Sequence, residues 1–233
     1  MRAGATQAVE EARVPAERRA AFPSVAAARP RPPHKAFLHL FHAIKALNRS
    51  DAPFVLQFLA SSDGEGASVT AAGFAEAAAA HWQGSVLLID CSATDAPTRP
   101  GPQSLIEAFS EKGALHGATQ PSPDAPGVVL ARLTAASGAF SSFDLSDLGR
   151  LFDAAKQAFP IVVLDCPPPA EAPESLALAR CSDGTVLVVG AGASTRSRIV
   201  QTRNDVERFG GQLVGCVLNR AASRIPRWLE RWL

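Results

Sequence analysis

The chain has 233 residues, of which 47% are hydrophobic, and this length and composition suit one α/β domain with a tail. Its formal net charge of +1 gives no indication of a nucleic-acid partner. The four cysteines lack C-x-x-C spacing, which argues against a zinc site, and we see neither a membrane-spanning apolar run nor the apolar core of a signal peptide. We therefore expect a protein of the reducing cytoplasm.

The N-terminal part of the sequence contains a predicted tail and a predicted helix. Residues 1–34 are rich in Ala, Arg, Pro and Glu without sustained apolar periodicity, so we predict a disordered tail. Residues 35–48 have apolar side chains at helical spacing and predict an amphipathic helix. Its apolar stripe consists of Phe37, Leu40, Phe41, Ile44 and Leu47. Without acidic or cysteine neighbours, His39 and His42 are interpreted as surface residues of this helix.

The next segment has the order of elements that binds phosphate. Residues 54–60 form a short apolar run, which predicts a strand buried on both faces. Small residues break this pattern at 61–66, and an alanine-rich segment that favours helix begins at Ala67. A strand, a glycine loop and a helix N-terminus cradle phosphate because backbone N–H groups and the helix dipole converge there.

The phosphate-binding motif G-x-x-x-x-G-K-[ST] is matched only in part. Gly66 and Ser68 fit the motif, whereas Ser61 stands at the first glycine and Ala67 at the lysine. In a complete motif the lysine reaches the β- and γ-phosphates. A charge-assisted hydrogen bond contributes about 1.5–3 kcal/mol. Its loss should therefore weaken the affinity for a triphosphate by roughly one to two orders of magnitude.

Further along the chain, apolar segments alternate with predicted helices, the pattern of a parallel sheet covered by helices on both faces. The predicted strands are 85–90, 128–133, 161–165, 184–189 and 212–218. The predicted helices are 103–111, 144–159, 171–181 and 194–209. The stretch 111–127 is rich in Gly and Pro and predicts a mobile loop.

Two of the predicted strands end in an aspartate, Asp90 and Asp165. Ligands bind at the carboxyl ends of parallel strands, so both carboxylates should lie near the phosphate loop. Together with the hydroxyl of Ser68 they could bind Mg²⁺, and one carboxylate could orient a nucleophile. The alternative is that each aspartate only caps the turn that follows it. Cys91 and Cys166, which follow the aspartates, are interpreted as buried fillers rather than a redox pair.

Five blocks of sequence together resemble a known family. In chain order they are LASSDGEGAS, VLLIDCS, IVVLDCPPP, SDGTVLVVGAGASTRSR and LVGCVLNR. They are similar to the bacterial tyrosine kinases of capsule and exopolysaccharide synthesis (the CpsD/CapB type), which belong to the MinD/ParA group of P-loop ATPases. The resemblance covers roughly residues 37–220. It implies a three-layer α/β fold of the P-loop NTPase type, with a mostly parallel sheet flanked by helices.

The resemblance also implies roles for individual residues. Asp90 would help to bind magnesium and activate the acceptor, and Asp165 would be the Walker B aspartate, so these two would be the catalytic residues of an active enzyme. Asn219 would recognise adenine, with Arg220 beside it. The whole implied nucleotide-binding set is Gly64, Glu65, Gly66, Ala67, Ser68, Val69, Asn219 and Arg220.

The departures from the family are equally informative. Besides Ala67 at the lysine, Ser92 stands where the family has a second aspartate, although Asp95 could partly substitute. The helix at 35–48 lacks the acidic residue and arginines that join the family's subunits into a ring. The chain contains no tyrosine, so it cannot phosphorylate itself on tyrosine as the active kinases do.

The C-terminal segment, residues 223–233, predicts a short amphipathic helix. Its apolar face consists of Ile225, Trp228, Leu229, Trp232 and Leu233. The segment resembles the C-terminal membrane anchor of MinD, and an interfacial helix needs such an apolar face with tryptophan beside a basic polar face. We expect it to contact either protein or the inner face of the cell membrane.

Three hypotheses follow from these features. The first is a degenerate accessory protein of exopolysaccharide biosynthesis or export that binds Mg-ATP or ADP weakly and docks on a membrane-bound chain-length or export component. The second is an active ATPase or protein-tyrosine kinase that recruits a cation from Lys45, Arg99, Arg196 or Arg198. The third is a MinD/ParA-like positioning ATPase that cycles on the membrane and dimerises with ATP. Zinc and nucleic acid are not expected, and the sequence leaves a homodimer open.

Overall fold

The computed structural model describes residues 35–48, 52–82, 84–92, 104–113, 115, 117–134 and 144–221. The predicted tail at 1–34 and the predicted helix at 223–233 lie outside the described residues, as do Asp95 and Arg99. Within the described ranges, no helix is long and apolar enough to cross a membrane.

Helices and strands alternate along most of the chain. The elements are α1 (Lys35–Leu47), β1 (Phe54–Ala60), α2 (Ala67–His81), β2 (Val86–Asp90), α3 (Leu105–Lys112), β3 (Thr119–Pro121), β4 (Val128–Arg132), α4 (Leu145–Ala158), β5 (Ile161–Cys166), α5 (Glu174–Cys181), β6 (Gly184–Gly190), α6 (Arg196–Arg208) and β7 (Leu213–Asn219). The strands form a seven-stranded sheet in the order β3-β4-β2-β5-β1-β6-β7. Among the strand pairs of the described residues, only β3–β4 is antiparallel. The predicted three-layer α/β fold with a mostly parallel sheet is confirmed.

Helices pack on both faces of the sheet. One core lies between the sheet and helices α3 to α6 and includes the buried Phe152 and Phe159. The other lies between the sheet and helices α1 and α2, where the rings of Phe58 and Phe74 are 5.3 Å apart. Helix α2 is rich in buried alanines because it is packed between the sheet and α1. A Cβ atom on Gly73 would lie 2.3 Å from the ring of Phe37, so this glycine permits the close packing of α1 on α2.

Strand β1 is central and buried along its whole length. Both ends of the amide of its one polar residue, Gln57, are hydrogen-bonded, since Nε2 donates to the carbonyl of Ser175 at 2.7 Å and Oε1 accepts from Thr185 Oγ1 at 2.8 Å. A buried amide without such partners would destabilise the fold. These two bonds connect β1 to α5 and β6, and so fix the strand from which the phosphate loop leaves the sheet.

Three helices begin two or three residues later than the sequence predicted. Helix α3 begins at Leu105 rather than at residue 103, because Ser104 occupies its N-cap position. Helix α5 begins at Glu174 rather than at residue 171, because the N–H groups of Glu171 and Ala172 both donate to the carbonyl of Pro168 and form a turn. Helix α6 begins at Arg196 rather than at residue 194, because Thr195 occupies the N-cap position.

Two other predictions were wrong. The stretch 111–127 is not a continuous loop, since it contains β3, which pairs antiparallel with β4, and Ser122 N–H donates to the carbonyl of Val128 at 2.8 Å. Leu47 was placed on the apolar stripe of α1, but it is 63% exposed. The buried side of α1 includes Phe41 and Ile44, whereas Leu47 is the last residue of the helix and lies at its exposed end.

Candidate functional site

The carboxyl ends of β1, β2 and β5 surround a cleft of about 500 Å³. The strand register places Asp90 directly opposite Asp165. The cleft is lined by both aspartates, by the loop after β1 and by the first turn of α2, including Ala67 and Ser68. The residues predicted to converge from three separate segments therefore line one cavity.

The phosphate loop has an unusual backbone at its two glycines. Gly64 (φ +72°) and Gly66 (φ +90°) both adopt the left-handed conformation, which side chains rarely tolerate. Gly66 is the N-cap of α2, and no side chain caps the helix. The first N–H groups of a helix have no partner within it, and the positive end of the helix dipole lies beside them. The start of α2 is therefore suited to bind an anion in the cleft.

Glu65 connects the loop to the rest of the sheet. Its side chain is fully buried and its carboxylate accepts hydrogen bonds from Ser61 N–H at 2.7 Å, Ser62 N–H at 2.9 Å, Gly190 N–H at 3.1 Å and Ser61 Oγ at 2.8 Å. Burial alone raises its pKa, but the nearby Ser194 hydroxyl and the hydrogen bonds from Ser61, Ser62 and Gly190 outweigh it and hold the pKa of Glu65 below its usual value. The sequence predicted Glu65 only as a member of the nucleotide-binding set. In the sequence, the one sign of this structural role is a carboxylate within a loop of small residues.

Hydroxyl groups extend this network toward α6. Ser194 Oγ donates to Ser62 Oγ at 3.0 Å and lies 3.1 Å from Ser61 Oγ. The guanidinium of Arg198 also reaches the loop, where its Nη1 lies 3.5 Å from Ser62 Oγ. The segment between β6 and α6 is thus attached to the first half of the loop.

Asn219 contacts the loop from the end of β7. Its Nδ2 donates to the carbonyl of Glu65 at 2.9 Å, and its Oδ1 accepts from Arg220 N–H at 2.9 Å. A Cβ atom on Gly66 would lie 2.2 Å from that Nδ2. Both ends of the amide are engaged within the protein, and adenine recognition by Asn219 stays a prediction. Arg220 has a left-handed backbone (φ +56°) and lines the cleft.

The cleft is acidic. Its lining includes the carboxylates of Asp63, Asp90, Asp165 and Glu171, and among the described lining residues only Arg220 carries a positive charge. Ala67, at the lysine position, is 7% exposed and presents a methyl group in its place.

The residues fit a magnesium ion bound together with phosphate rather than a closed metal cage. Asp90 Oδ1 accepts from Ser92 N–H at 2.9 Å and from Ser92 Oγ at 2.6 Å, so one of its oxygens caps the following turn and the other could bind a cation. No group of three or more His, Cys, Asp or Glu residues suited to a metal occurs in the described part of the chain. Magnesium commonly binds one or two carboxylates, phosphate oxygens and several waters, which Ser68, Asp90 and Asp165 would allow.

The two cysteines beside the aspartates are buried, which agrees with their interpretation as buried fillers. Cys91 N–H donates to the carbonyl of Asp165 at 2.9 Å. Burial, together with the adjacent Cys166, raises the pKa of the Cys91 thiol well above its ordinary value. A protonated, buried thiol is a poor nucleophile, so Cys91 acts as a packing group.

The structure shows which of the cations proposed to replace the lysine of the motif reach the loop. The ammonium of Lys45 lies 4.3 Å from the ring centroid of Trp82, which is the C-cap of α2. Because α2 has 15 residues and is therefore about 22 Å long, Lys45 lies far from the loop, and its candidacy was wrong. Arg196 is exposed at the first position of α6, whereas Arg198 reaches the loop itself.

Comparisons with known proteins support the resemblance read from the sequence. No family model matches the chain. The tyrosine-protein kinase CpsD of Streptococcus agalactiae is 24% identical over 79 residues, which is 34% of this chain and 34% of that protein. The match thus spans about a third of the length of this curated relative.

Solved structures extend the similarity to most of the fold. The kinase domain of the Escherichia coli tyrosine kinase ETK has a TM-score of 0.67 at 18% identity, covering 81% of this chain and 79% of that one. The cell division ATPase MinD of Pyrococcus furiosus has a TM-score of 0.58 at 15% identity, covering 75% and 76%. The resemblance to bacterial tyrosine kinases and MinD/ParA ATPases is confirmed, as is the P-loop ATPase fold.

Proposed function

We propose that this protein is a degenerate, tyrosine-kinase-like accessory protein of bacterial exopolysaccharide biosynthesis or export, with weak or absent ATP hydrolysis. The observation that carries the proposal is a fully formed phosphate loop with Ala67 at the position of the lysine. Phosphoryl transfer depends on positioning and on stabilising the charge that develops on the transferred group. This chain retains elements that position a phosphate but lacks the lysine that would neutralise its charge.

The cleft would bind nucleotide weakly and would not hydrolyse it rapidly. The N–H groups at the start of α2 would hold the phosphates, and Ser68, Asp90 and Asp165 would hold a magnesium ion that neutralises part of their charge. Without that ion, the carboxylates that line the cleft would repel a triphosphate. Mg-ADP or Mg-ATP bound weakly, as a sensor or a structural ligand, fits this arrangement better than rapid turnover.

The partner in this proposal is a membrane-bound chain-length or export component of polysaccharide synthesis. Similarity to CpsD and to the ETK kinase domain supports the assignment to this group of proteins. Residues 223–233, with their two tryptophans and apolar face, would contact the partner or the inner membrane surface.

A genetic complementation experiment tests the accessory role. A strain that lacks the gene receives either the wild type or the Asp90→Asn/Asp165→Asn double variant, and exported polysaccharide and its chain length are measured. Equal amounts of folded protein, checked by immunoblot and circular dichroism, are the control. The accessory role predicts that the purified wild type shows no rapid ATP turnover, and that any loss of export in the variant accompanies a loss of nucleotide binding. An active kinase or ATPase predicts rapid ATP turnover by the wild type, which the variant loses together with export.

The second candidate function is an active ATPase or kinase that uses a cation from outside the loop. One observation favours it, namely the guanidinium of Arg198 beside Ser62. Turnover of ATP that is abolished in the Asp90→Asn/Asp165→Asn variant would establish this function in place of the accessory one.

A further inference from the structure

We propose that Arg198, on α6, binds the phosphates of a nucleotide in place of the lysine that the loop lacks. The inference rests on the proposed function, since it takes the cleft to be a weak nucleotide site. It assigns a specific residue to that site and explains how a loop with Ala67 could still hold a nucleoside diphosphate or triphosphate.

The position of Arg198 is the first argument. Its Nη1 lies 3.5 Å from Ser62 Oγ, and Ser62 itself lines the cleft. A contact of this length is at the weak end of the hydrogen-bond range, and the side chain is exposed. A phosphate oxygen would be a stronger acceptor than the serine hydroxyl, because charge-assisted hydrogen bonds are roughly twice as strong as neutral ones.

The second argument is that the backbone of Arg198 is fixed relative to the loop. Glu65 accepts from Gly190 N–H at the end of β6, and Ser194 donates to Ser62. Thr195 then caps α6, and its Oγ1 accepts from Arg198 N–H at 3.4 Å. Two contacts with the loop, followed by the N-cap within α6, therefore place the first turn of α6 beside the phosphate loop.

The positive charge of Arg198 is not balanced by an ion pair with a carboxylate of the described residues. On the same helix, Arg203 lies 3.8 Å from Glu207 and Arg208 lies 3.8 Å from Asp205. Within the described residues, Arg198 forms no such ion pair. Its planar guanidinium can donate two parallel hydrogen bonds to a phosphate, which a lysine ammonium cannot do. Arg198 is thus available to an anion, whereas the arginines farther along α6 are engaged with carboxylates.

Nucleotide titrations of matched variants test this role. Binding of ADP and of ATP with Mg²⁺ is measured by calorimetry on the full chain and on Arg198→Ala, Arg198→Lys and Arg203→Ala. Arg203→Ala is the control, because it removes the same charge from the same helix at a position one to two turns farther on. We expect Arg198→Ala to weaken ADP binding about tenfold, Arg198→Lys to lose less, and Arg203→Ala to change it less than about twofold.

A double-variant cycle sharpens the test. If Arg198 replaces the missing lysine, then in an Ala67→Lys background the Arg198→Ala change should cost clearly less affinity than it costs in the wild type. Equal affinities of Arg198→Ala and Arg203→Ala would overturn the inference. So would a wild type that binds neither nucleotide at millimolar concentration, although the accessory role would then stand. Rapid ATP turnover by the wild type would contradict the accessory function and leave the role of Arg198 to be decided by the titrations.

Discussion

The phosphate loop has an inner side, which faces the sheet, and an outer side, which faces the cleft. The two sides differ in how many of their polar and charged groups have a hydrogen-bond partner or an opposite charge beside them. On the inner side, Glu65 accepts four hydrogen bonds and Asn219 fits against Gly66. On the outer side, Ala67 faces an acidic cleft in which Arg220 is the only cation among the described lining residues. The comparison shows that the shape of the loop does not depend on the lysine. Interactions beneath the loop maintain its conformation, so a chain with Ala67 at this position can keep the backbone of a P-loop without the lysine side chain.

The largest effect should come from changing the inner side at Glu65. In Glu65→Gln the new amide N–H₂ group would face the N–H groups of Ser61 and Ser62, and at least one buried donor would lose its acceptor. We expect the free energy of unfolding to fall by about 3 kcal/mol, measured by urea denaturation. The control is Glu76→Gln on the exposed side of α2, which should change it by less than about 0.5 kcal/mol. A small effect of Glu65→Gln would mean that the loop is held by other contacts.

Acid titration provides a second test of the same carboxylate. Because the folded chain holds the pKa of Glu65 below its ordinary value, the ionised form stabilises the fold at pH values above the ordinary glutamate pKa of about 4.3. This contribution is lost as the pH falls through the lower, folded-state pKa. As the pH is lowered from neutral to values below the ordinary glutamate pKa, the free energy of unfolding of the wild type should therefore fall more steeply than that of Glu65→Gln. If the free energy of unfolding changed with pH equally in the two proteins, the lowered pKa of Glu65 would be contradicted.

Two glycine substitutions separate backbone strain from steric contact. Gly64→Ala would place a side chain at φ +72° in open space, with an expected loss of about 1 kcal/mol in the free energy of unfolding. Gly66→Ala would add a contact of 2.2 Å with Asn219 Nδ2 and should cost about 2 kcal/mol. Thermal or urea denaturation would measure both. Removing the side chain in Gly66→Ala/Asn219→Ala should recover part of the loss, and no recovery would show that Asn219 is not the obstacle.

A substitution remote from the loop should affect stability without affecting the cleft. In Gly73→Ala the new methyl group would meet the ring of Phe37, displacing α1 from α2 at a cost of about 1–2 kcal/mol. Nucleotide affinity should stay within about twofold of the wild type, since α1 packs on the side of α2 that faces away from the sheet. Loss of both properties together would mean that α1 also supports the loop.

Much of the fold could be predicted from the sequence because its signals are local. The strands β1, β2 and β5 are short, mostly apolar runs, and parallel pairing then brings Asp90 and Asp165 to the same edge. Boundaries such as the start of α5 were less accurate, because the turn at Pro168 depends on its own backbone hydrogen bonds. Strand β3, with three residues and a proline, is too short to give a periodic signal.

The inner side of the loop could not be predicted because its partners are distant in the chain. Glu65 and Gly190 are 125 residues apart, and Asn219 is 154 residues from Glu65. Likewise, the stacking of Lys45 on Trp82 depends on how α1 crosses α2, so the sequence alone left Lys45 among the candidate cations. Tertiary contacts of this kind decide which charged side chains reach a cleft and which do not.

Restoring the lysine tests most directly whether the loop has the shape of a nucleotide site and lacks its charge. ATP binding with Mg²⁺ is measured by calorimetry on the wild type, on Ala67→Lys, and on Ala67→Met, whose side chain has similar length and no charge. We predict that Ala67→Lys binds ATP roughly ten to a hundred times more tightly than the wild type, and that Ala67→Met does not. Equal affinities of Ala67→Lys and the wild type would show that the loop does not present a lysine to the phosphates, and would contradict the account.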